Sequence, residues 1–163
     1  GPAFSPFNAF QTIQGLETLP LRIREHCRNA DAVTEYLNRH DEVAKVIHPS
    51  LQGGADRVRA DTYLQGGYGG LVGLELKGGL DAGRHFIEAL ELFYHVANMG
   101  DARSLAIHPA TTTHSQLTPE EQLASGVSDG YVRLSIGIER IDDIIADLAQ
   151  ALDRAAAAVK AAA

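Results

Sequence analysis

The sequence predicts an α+β domain in which a small, mostly antiparallel sheet is covered by helices on one face. Helical and strand-like stretches alternate along the chain, helices come first and last, and no repeat or linker divides the 163 residues. A chain of this length suits one domain with an adequate hydrophobic core. We expect the second face of the sheet to be covered by a partner.

The first predicted element is a long, kinked helix. Ser5 followed by Pro6 is a typical helix start, and apolar residues then recur at helical spacing as far as Leu37. Pro20 lies inside this stretch and predicts a kink or break, because proline has no amide hydrogen to donate. A helix over residues 1–40 is unusually long for a small domain, which indicates that it packs against a second domain.

Shorter elements follow, each bounded by glycine, proline or polar residues. Up to residue 97 they are a strand over 43–47, a helix over 56–65, a glycine-rich turn over 66–70, a strand over 71–77, a helix from a cap at Asp81 to about residue 92, and a strand over 94–97. Beyond it they are an irregular loop over 98–117, a short helix from a capping box at Thr118 to Gly126, a strand over 131–138 and a helix from about Asp142.

Composition excludes several classes of partner. The net charge is −7 and the basic residues are scattered, whereas a nucleic-acid binder needs a basic face. Cys27 is the only cysteine, so there is no disulfide framework, and we expect a reducing compartment, the cytoplasm. Cys27 is predicted to be a small core residue and not a reactive thiol. No apolar run approaches the ~20 residues that span a bilayer, so no membrane partner is expected.

The stretch NMGDARSLAIHPATTTHSQL, residues 98–117, holds many of the side chains that suggest chemistry. A zinc site needs three or four converging ligands, and no cysteine pair or HExxH motif accompanies His108 and His114. Serine or threonine nucleophiles beside these histidines lack the context of a nucleophile turn. We therefore expect no metal and predict that both histidines form hydrogen bonds with the backbone of an irregular loop.

Arg133 lies on the polar side of the predicted strand 131–138. An arginine held on a strand suits bidentate binding of a carboxylate, but the same pattern fits a structural salt bridge equally well. The residues alone therefore predict an α+β domain with a polar loop and one well-placed arginine, and they predict no reaction.

Three long stretches are similar, in order, to one family of enzymes. They are SPFNAFQTIQGLETLPLRIREHCRNA, GDARSLAIHPATTTHSQL and VRLSIGIERIDDIIADLAQAL. They resemble the C-terminal part of the Cys/Met-metabolism enzymes that depend on pyridoxal phosphate (PLP). The resemblance implies the small C-terminal domain of the type I PLP-dependent transferase (aminotransferase-like) fold over residues 1–163, with residues 1–40 leading in from an N-terminal cofactor domain. It also implies a homo-oligomer, usually a tetramer.

The resemblance implies that catalytic residues are absent from this chain. The family's cofactor lysine forms a Schiff base, which is the covalent anchor that the chemistry needs. The lysines here are Lys45, Lys77 and Lys160, and none lies in a stretch that matches the family's lysine motif. We therefore expect PLP to be bound mainly by the N-terminal domain, and this chain to be inactive on its own.

The resemblance does imply substrate-binding residues. Arg133 matches the arginine that binds the substrate α-carboxylate in the family. Asn98 falls where many relatives have a serine beside that carboxylate, and Thr113 and His114 match a Thr-His pair of the family. The resemblance thus implies that Arg133, Asn98 and Thr113 bind the amino-acid substrate, and that Ala97 and His114 shape the pocket.

Ala97 indicates a subfamily. Transsulfuration members can have a glutamate at this position that holds the distal amine of cystathionine or cysteine, and alanine cannot. The chain therefore resembles most the O-acetylhomoserine sulfhydrylases, which make homocysteine from O-acetylhomoserine and sulfide or a small thiol in methionine biosynthesis. The alternatives are a cystathionine γ-synthase or methionine γ-lyase of the same family, and a stand-alone, non-catalytic binding domain. Exposed apolar surface on the first helix would count against the last.

Overall fold

Within residues 3–162, which are those that the computed structural model describes, five strands form one mixed sheet. The order across the sheet is β1 (Val43–Ile47), β2 (Leu71–Leu76), β5 (Tyr131–Ser135), β4 (Leu105–Ile107) and β3 (Tyr94–His95). Neighbouring strands are antiparallel except β3 and β4, which run parallel. The predicted mostly antiparallel sheet is confirmed.

Six α-helices accompany this sheet in the described residues. They are α1 (Pro6–Glu17), α2 (Leu19–Leu37), α3 (Gly54–Tyr63), α4 (Gly79–Ala89), α5 (Pro119–Ala124) and α6 (Ile141–Ala162). Helices α2, α4 and α6 bury their apolar faces together against the sheet, which confirms the predicted layer of helices on one face. No helix within residues 3–162 has the length and apolar character that are needed to cross a bilayer.

The predicted kinked helix is two helices, α1 and α2, separated at Thr18. Ser5 caps α1 by accepting a hydrogen bond from the amide of Asn8 at 3.1 Å, as the sequence predicts. Thr18 has φ −101° and ψ 1°, outside helical values, and Pro20 falls in the first turn of α2. Proline is tolerated there because first-turn amides have no partner within the helix. The first two residues of the predicted element lie outside the described range.

The main difference from the predicted elements lies in residues 98–117, which contain strand β4. Its three residues are all buried, so they lack the alternation of exposed and buried side chains by which a strand is recognised. The predicted strand over 131–138 ends at Ser135, one residue before the amide of Ile136 donates to the carbonyl of Gly70, the residue before β2. The predicted strand over 94–97 is only Tyr94–His95.

The predicted cap at Asp81 is wrong. Helix α4 begins at Gly79, with Gly78 in the capping position, and Asp81 lies within its first turn. Gly79 has φ +60°, a left-handed conformation that favours glycine, and the capping position falls three residues earlier than Asp81 suggested. By contrast, the capping box at Thr118 is confirmed, and Cys27 is a buried residue with 6% exposure.

His48 and His108 are the two most deeply buried histidines of the described residues. His108 pairs through Nε2 with the carbonyl of Asp129 at 2.7 Å and through Nδ1 with the hydroxyl of Thr111 at 3.0 Å, which confirms its predicted backbone hydrogen bond. His48 pairs through Nδ1 with the hydroxyl of Ser50 at 2.7 Å. Burial lowers the pKa of both imidazoles below the usual 6.5, against weaker opposing effects of nearby acids and carbonyls.

Because the pKa values of His48 and His108 are lowered in the folded chain, we predict that its free energy of unfolding falls on acidification. The unfolded chain takes up protons at these two positions as the pH falls through about 6.5, and the folded chain does not, so the free energy of unfolding decreases from that pH downward. We expect urea midpoints, followed by circular dichroism, to fall between pH 7 and pH 5. The fall should be smaller in His108→Gln and unchanged in the control His85→Gln, whose side chain is 42% exposed. Equal slopes in all three proteins would contradict this assignment.

Candidate functional site

Strand β5 places Arg133 on the sheet face opposite the helices. Its neighbours Val132 and Leu134 are fully buried in the core, so the period of two directs Arg133 to the other face, where it is partly exposed. Arg133 lies opposite Gly73 of β2 and Ile107 of β4. Because β5 has a hydrogen-bonded strand on each side, the backbone of Arg133 is held at the centre of the sheet.

Gly73 leaves room for an aromatic ring beside this arginine. A Cβ atom at Gly73 would lie 2.8 Å from Cε2 of Tyr131 and 3.3 Å from Cβ of Ile47. Tyr131 therefore lies across the position where a side chain of β2 would otherwise stand. Burial raises the pKa of Tyr131, while the nearby Arg133 opposes that shift and Glu75 adds to it.

The guanidinium of Arg133 is held by backbone carbonyls and not by an acid. Its Nη2 donates to the carbonyl of Ala97 at 2.7 Å and to that of Asn98 at 3.4 Å. No carboxylate pairs with it within residues 3–162, and over the same residues its Nε and Nη1 form no hydrogen bond. The described chain therefore contains no structural salt bridge at Arg133. Instead, Arg133 is an oriented cation whose Nε and Nη1 donors are unused within those residues.

Arg133 lines one concave region and forms hydrogen bonds with residues that line a second. The larger, about 720 Å³, is lined on one side by Tyr131 and Arg133 and on the other by α3 and the segment that follows it. The smaller, about 450 Å³, is formed by residues 97–101, whose first two carbonyls accept from Arg133. Arg133 therefore lines the larger region only, while carbonyls at the rim of the smaller region hold its Nη2.

The loop that carries Ala97 and Asn98 is tied to the end of β5. The amide of Gly100 donates to Oγ of Ser135 at 3.0 Å, and the amide of Ile138 donates to the carbonyl of Ala102 at 2.9 Å. Further along, Ser104 bonds to the carboxylate of Glu139. Sequence reasoning did not assign a role to Ser135 or Glu139, although the polar positions after Arg133 in RLSIGIE were the available signal.

Thr113 and His114 are not brought to this arginine. They follow a short 3₁₀ turn, Pro109–Thr111, and bond to each other between Oγ1 and Nδ1 at 2.9 Å. The carbonyl of His114 accepts from the side-chain amide of Gln122 at 2.9 Å. In the described part of the chain neither residue lines the cavity that Arg133 lines, and the ring of His114 does not make the predicted backbone hydrogen bond. The structure therefore groups Arg133, Ala97 and Asn98 and leaves the Thr-His pair in an outer loop.

The chain offers no anchor for an aldehyde cofactor at this site. Lys45 is exposed on the edge strand β1, Lys77 is exposed directly after β2, and Lys160 pairs with Glu42 at 3.6 Å near the end of α6. None of the three lines the cavity beside Arg133. Residues 3–162 also contain no cluster of three His, Cys, Asp or Glu side chains that would hold a metal ion.

Comparison with known proteins assigns the chain to a family. The model of the family described as Cys/Met metabolism PLP-dependent enzyme matches residues 1–153. The chain belongs to this family. The resemblance drawn from the three quoted stretches is thereby confirmed, and the family's cofactor is PLP.

Curated relatives from the family share about half of the residues. An O-acetyl-L-homoserine sulfhydrylase of Leptospira meyeri is 52% identical over 153 residues, which are 93% of this chain and 35% of the relative. An L-methionine gamma-lyase of Pseudomonas putida is 44% identical over 96% of this chain and 39% of its own length. The chain thus spans little more than a third of the relatives that it matches.

Solved structures of family members share the fold. A Campylobacter jejuni protein described as an O-acetylhomoserine (thiol)-lyase, which carries an N′-pyridoxyl-lysine-5′-monophosphate, superposes with a TM-score of 0.85 at 42% identity. The match covers 94% of this chain and 36% of the Campylobacter chain. A cystathionine gamma synthase of Xanthomonas oryzae in complex with cystathionine gives 0.83 at 43% identity over the same share of this chain and 39% of its own.

The close packing around Gly137, just after β5, leaves no room for a side chain. A Cβ atom there would lie 2.2 Å from Oε2 of Glu139, 2.5 Å from the amide of Ser104 and 2.6 Å from the carbonyl of Ala102. Two of these atoms are backbone, so the loop would have to move. We expect Gly137→Ala to lower the free energy of unfolding by about 1–3 kcal/mol, as overpacking does.

Urea unfolding measures this change, and Gly15→Ala is the matched control. Gly15 lies in the exposed helix α1 with no atom within 4 Å of an added Cβ, so this substitution should not destabilise the chain. If Gly137→Ala unfolds at the same urea concentration as the parent, the close packing around Gly137 is not as described.

Proposed function

We propose that this chain is the small, substrate-binding C-terminal domain of a PLP-dependent O-acetylhomoserine sulfhydrylase. The enzyme would make homocysteine from O-acetylhomoserine and sulfide in methionine biosynthesis. The observation that carries the proposal is the cationic Arg133, oriented by carbonyls and free of acidic partners in the described chain. The match to the C-terminal third of sulfhydrylases supports the same assignment.

The exposed face of α1 supports a larger enzyme over a stand-alone binding domain. Large apolar side chains stand exposed along one helix that buries none of its residues; Phe7, Phe10, Ile13 and Leu16 are each more than half exposed. Contiguous apolar surface of this kind marks a contact with another protein surface. We infer that the rest of the enzyme covers it, in a cytoplasmic homotetramer of the kind that the family resemblance implies.

Arg133 would bind the α-carboxylate of the amino-acid substrate. A guanidinium with free Nε and Nη1 donors suits the two oxygens of a carboxylate, and its fixed position would orient the substrate before reaction. PLP, when bound by the rest of the enzyme, supplies the electron sink for breaking the bond to the leaving group at Cγ. The residues of this chain hold the substrate in place and take no part in the covalent chemistry.

Asn98 and Thr113 would assist from the two loops. The side chain of Asn98 is exposed and forms no hydrogen bond within residues 3–162, so its amide can donate to a carboxylate oxygen beside Arg133. Thr113 and His114 lie further away, and we propose that they form the pocket wall once the remainder of the enzyme is packed against this chain. Their mutual hydrogen bond suits a wall better than a proton-transfer pair.

Ala97 supports sulfide as the second substrate. It lies at the rim beside Arg133 with a methyl group, which cannot pair with the ammonium group of cysteine. The alternative activities, cystathionine γ-synthase and methionine γ-lyase, are represented among the similar proteins, so the choice of sulfide rests on this position.

Arg133→Ala in the enzyme expressed from its complete gene should raise the KM for O-acetylhomoserine. Loss of a charge-assisted pair costs about 1.5–3 kcal/mol, which corresponds to an increase of roughly 10- to 150-fold. Steady-state assays with PLP and sulfide measure it. The control is Arg140→Ala, an exposed arginine that pairs with Asp142, which should leave KM unchanged. An unchanged KM in Arg133→Ala would remove Arg133 from the substrate site.

Ala97→Glu should improve the use of cysteine relative to sulfide. The added carboxylate would stand at the rim beside the substrate and attract the ammonium group of cysteine, whereas sulfide has no group for it to bind. The measurement is the ratio of kcat/KM for the two second substrates in the full-length enzyme. Ala97→Gln, which has nearly the same shape without the charge, is the control. An identical ratio in both variants and the parent would argue against sulfide specificity being decided here.

A further inference from the structure

We propose that Glu139 is a positioning residue for substrate binding. Its carboxylate holds the loop of residues 97–104 in the position from which the carbonyls of Ala97 and Asn98 orient Arg133. This inference rests on the proposed role of Arg133 in binding the substrate carboxylate, and it extends that role to a residue that does not touch the substrate.

Glu139 binds Ser104, the last residue of the loop of residues 97–104. Its Oε1 accepts from the amide of Ser104 at 2.7 Å, and its Oε2 accepts from the hydroxyl of Ser104 at 3.0 Å. Ser104 is fully buried, and its Oγ also accepts from the amide of Gly137 at 2.9 Å. One carboxylate therefore engages both polar hydrogens that Ser104 offers, and hydrogen bonds to an ionised acceptor are about twice as strong as neutral ones.

The segment that carries Glu139 is itself rigidly attached to the core. Asn29 of α2 is fully buried and donates its Nδ2 to the carbonyl of Gly137 at 3.1 Å and to that of Glu139 at 2.9 Å. Nearby, Nδ1 of His26 pairs with the carbonyl of Ile136 at 2.6 Å. Glu139 thus connects a fixed base, built by α2 and the end of β5, to a loop on the surface.

The loop has few other attachments. Residues 97–103 are all exposed, and Gly100 has φ +79°, so no buried side chain within this stretch holds its path. Its contacts with the end of β5 and the segment after it are the bonds from Gly100 to Ser135, from Ile138 to Ala102, from Ser104 to Glu139 and from Gly137 to Ser104. The guanidinium of Arg103 also lies over the ring of Tyr94 at 4.9 Å from its centre. Removing the strongest of these hydrogen bonds would let the carbonyl of Ala97 drift, and the guanidinium of Arg133 would lose its fixed direction.

A purely structural role for Glu139 is the competing interpretation, and Asp147 offers the matched control. Asp147 is a buried carboxylate that, like the partly buried Glu139, accepts backbone hydrogen bonds, in its case from the amides of Glu91 and Leu92 at 2.9 Å and of Phe93 at 3.3 Å. Those amides lie before β3 and make no contact with Arg133. Asp147→Asn therefore reports the effect of a weakened buried carboxylate without disturbing the loop of residues 97–104.

The experiment compares Glu139→Gln, Ser104→Ala, their double variant and Asp147→Asn in the full-length, PLP-loaded enzyme. We expect Glu139→Gln to raise the KM for O-acetylhomoserine about 3- to 10-fold with kcat within roughly twofold, in the range seen for indirect coupling. The double variant should match the larger single effect, because both substitutions break the same contact. Hydrogen–deuterium exchange should accelerate in peptides covering 97–104 in these variants and remain unchanged there in Asp147→Asn.

The outcomes separate this inference from the function on which it rests. An unchanged KM in Glu139→Gln, beside a raised KM in Arg133→Ala, overturns the positioning role alone. An equal rise in KM in Asp147→Asn at equal loss of thermal stability also overturns it, because the effect would then be general destabilisation. An unchanged KM in Arg133→Ala overturns the proposed function and this inference together.

Discussion

The candidate site depends on the alternation of side chains along β5. Val132 and Leu134 point into the core beneath α2, α4 and α6, and the residue between them must then point to the opposite face. Because β5 pairs with β2 on one side and β4 on the other, Arg133 cannot shift without breaking two ladders. The same burial that stabilises the domain therefore fixes the position of Arg133, the cation of the proposed substrate site.

Orientation of the guanidinium is a second, separate requirement. It is met by main-chain carbonyls of a surface loop, which accept hydrogen bonds from the guanidinium and leave its positive charge uncompensated by an acid. The loop is held in turn by Ser135, Ile138 and Glu139, all of which lie just beyond Arg133 in the chain. Eight residues from Tyr131 to Ile138 thus supply a core strand, a cation and part of the support for that cation.

Several elements could be predicted because their signals are local. The start of α1 at Ser5-Pro6, the break near Pro20 and the capping box at Thr118 each follow from backbone groups within four residues. Strand β4 could not be predicted, since three buried residues have no period, and its existence depends on β5 lying beside it. The cap predicted at Asp81 was wrong for the opposite reason. A good capping residue was present, but the helix had already begun at Gly79.

The sequence by itself determined the fold class, the family and the sheet face on which Arg133 lies, because long matching stretches and period-two patterning can be recognised without distant contacts. It left open whether Arg133 had an acidic partner, and only the tertiary structure decided that Ala97 and Asn98 supply its acceptors from 36 and 35 residues away. Tertiary structure also decided that Thr113 and His114 stand apart from it in the described chain. Contacts between residues far apart in sequence are set by how the sheet and its loops pack, and no local pattern records that packing.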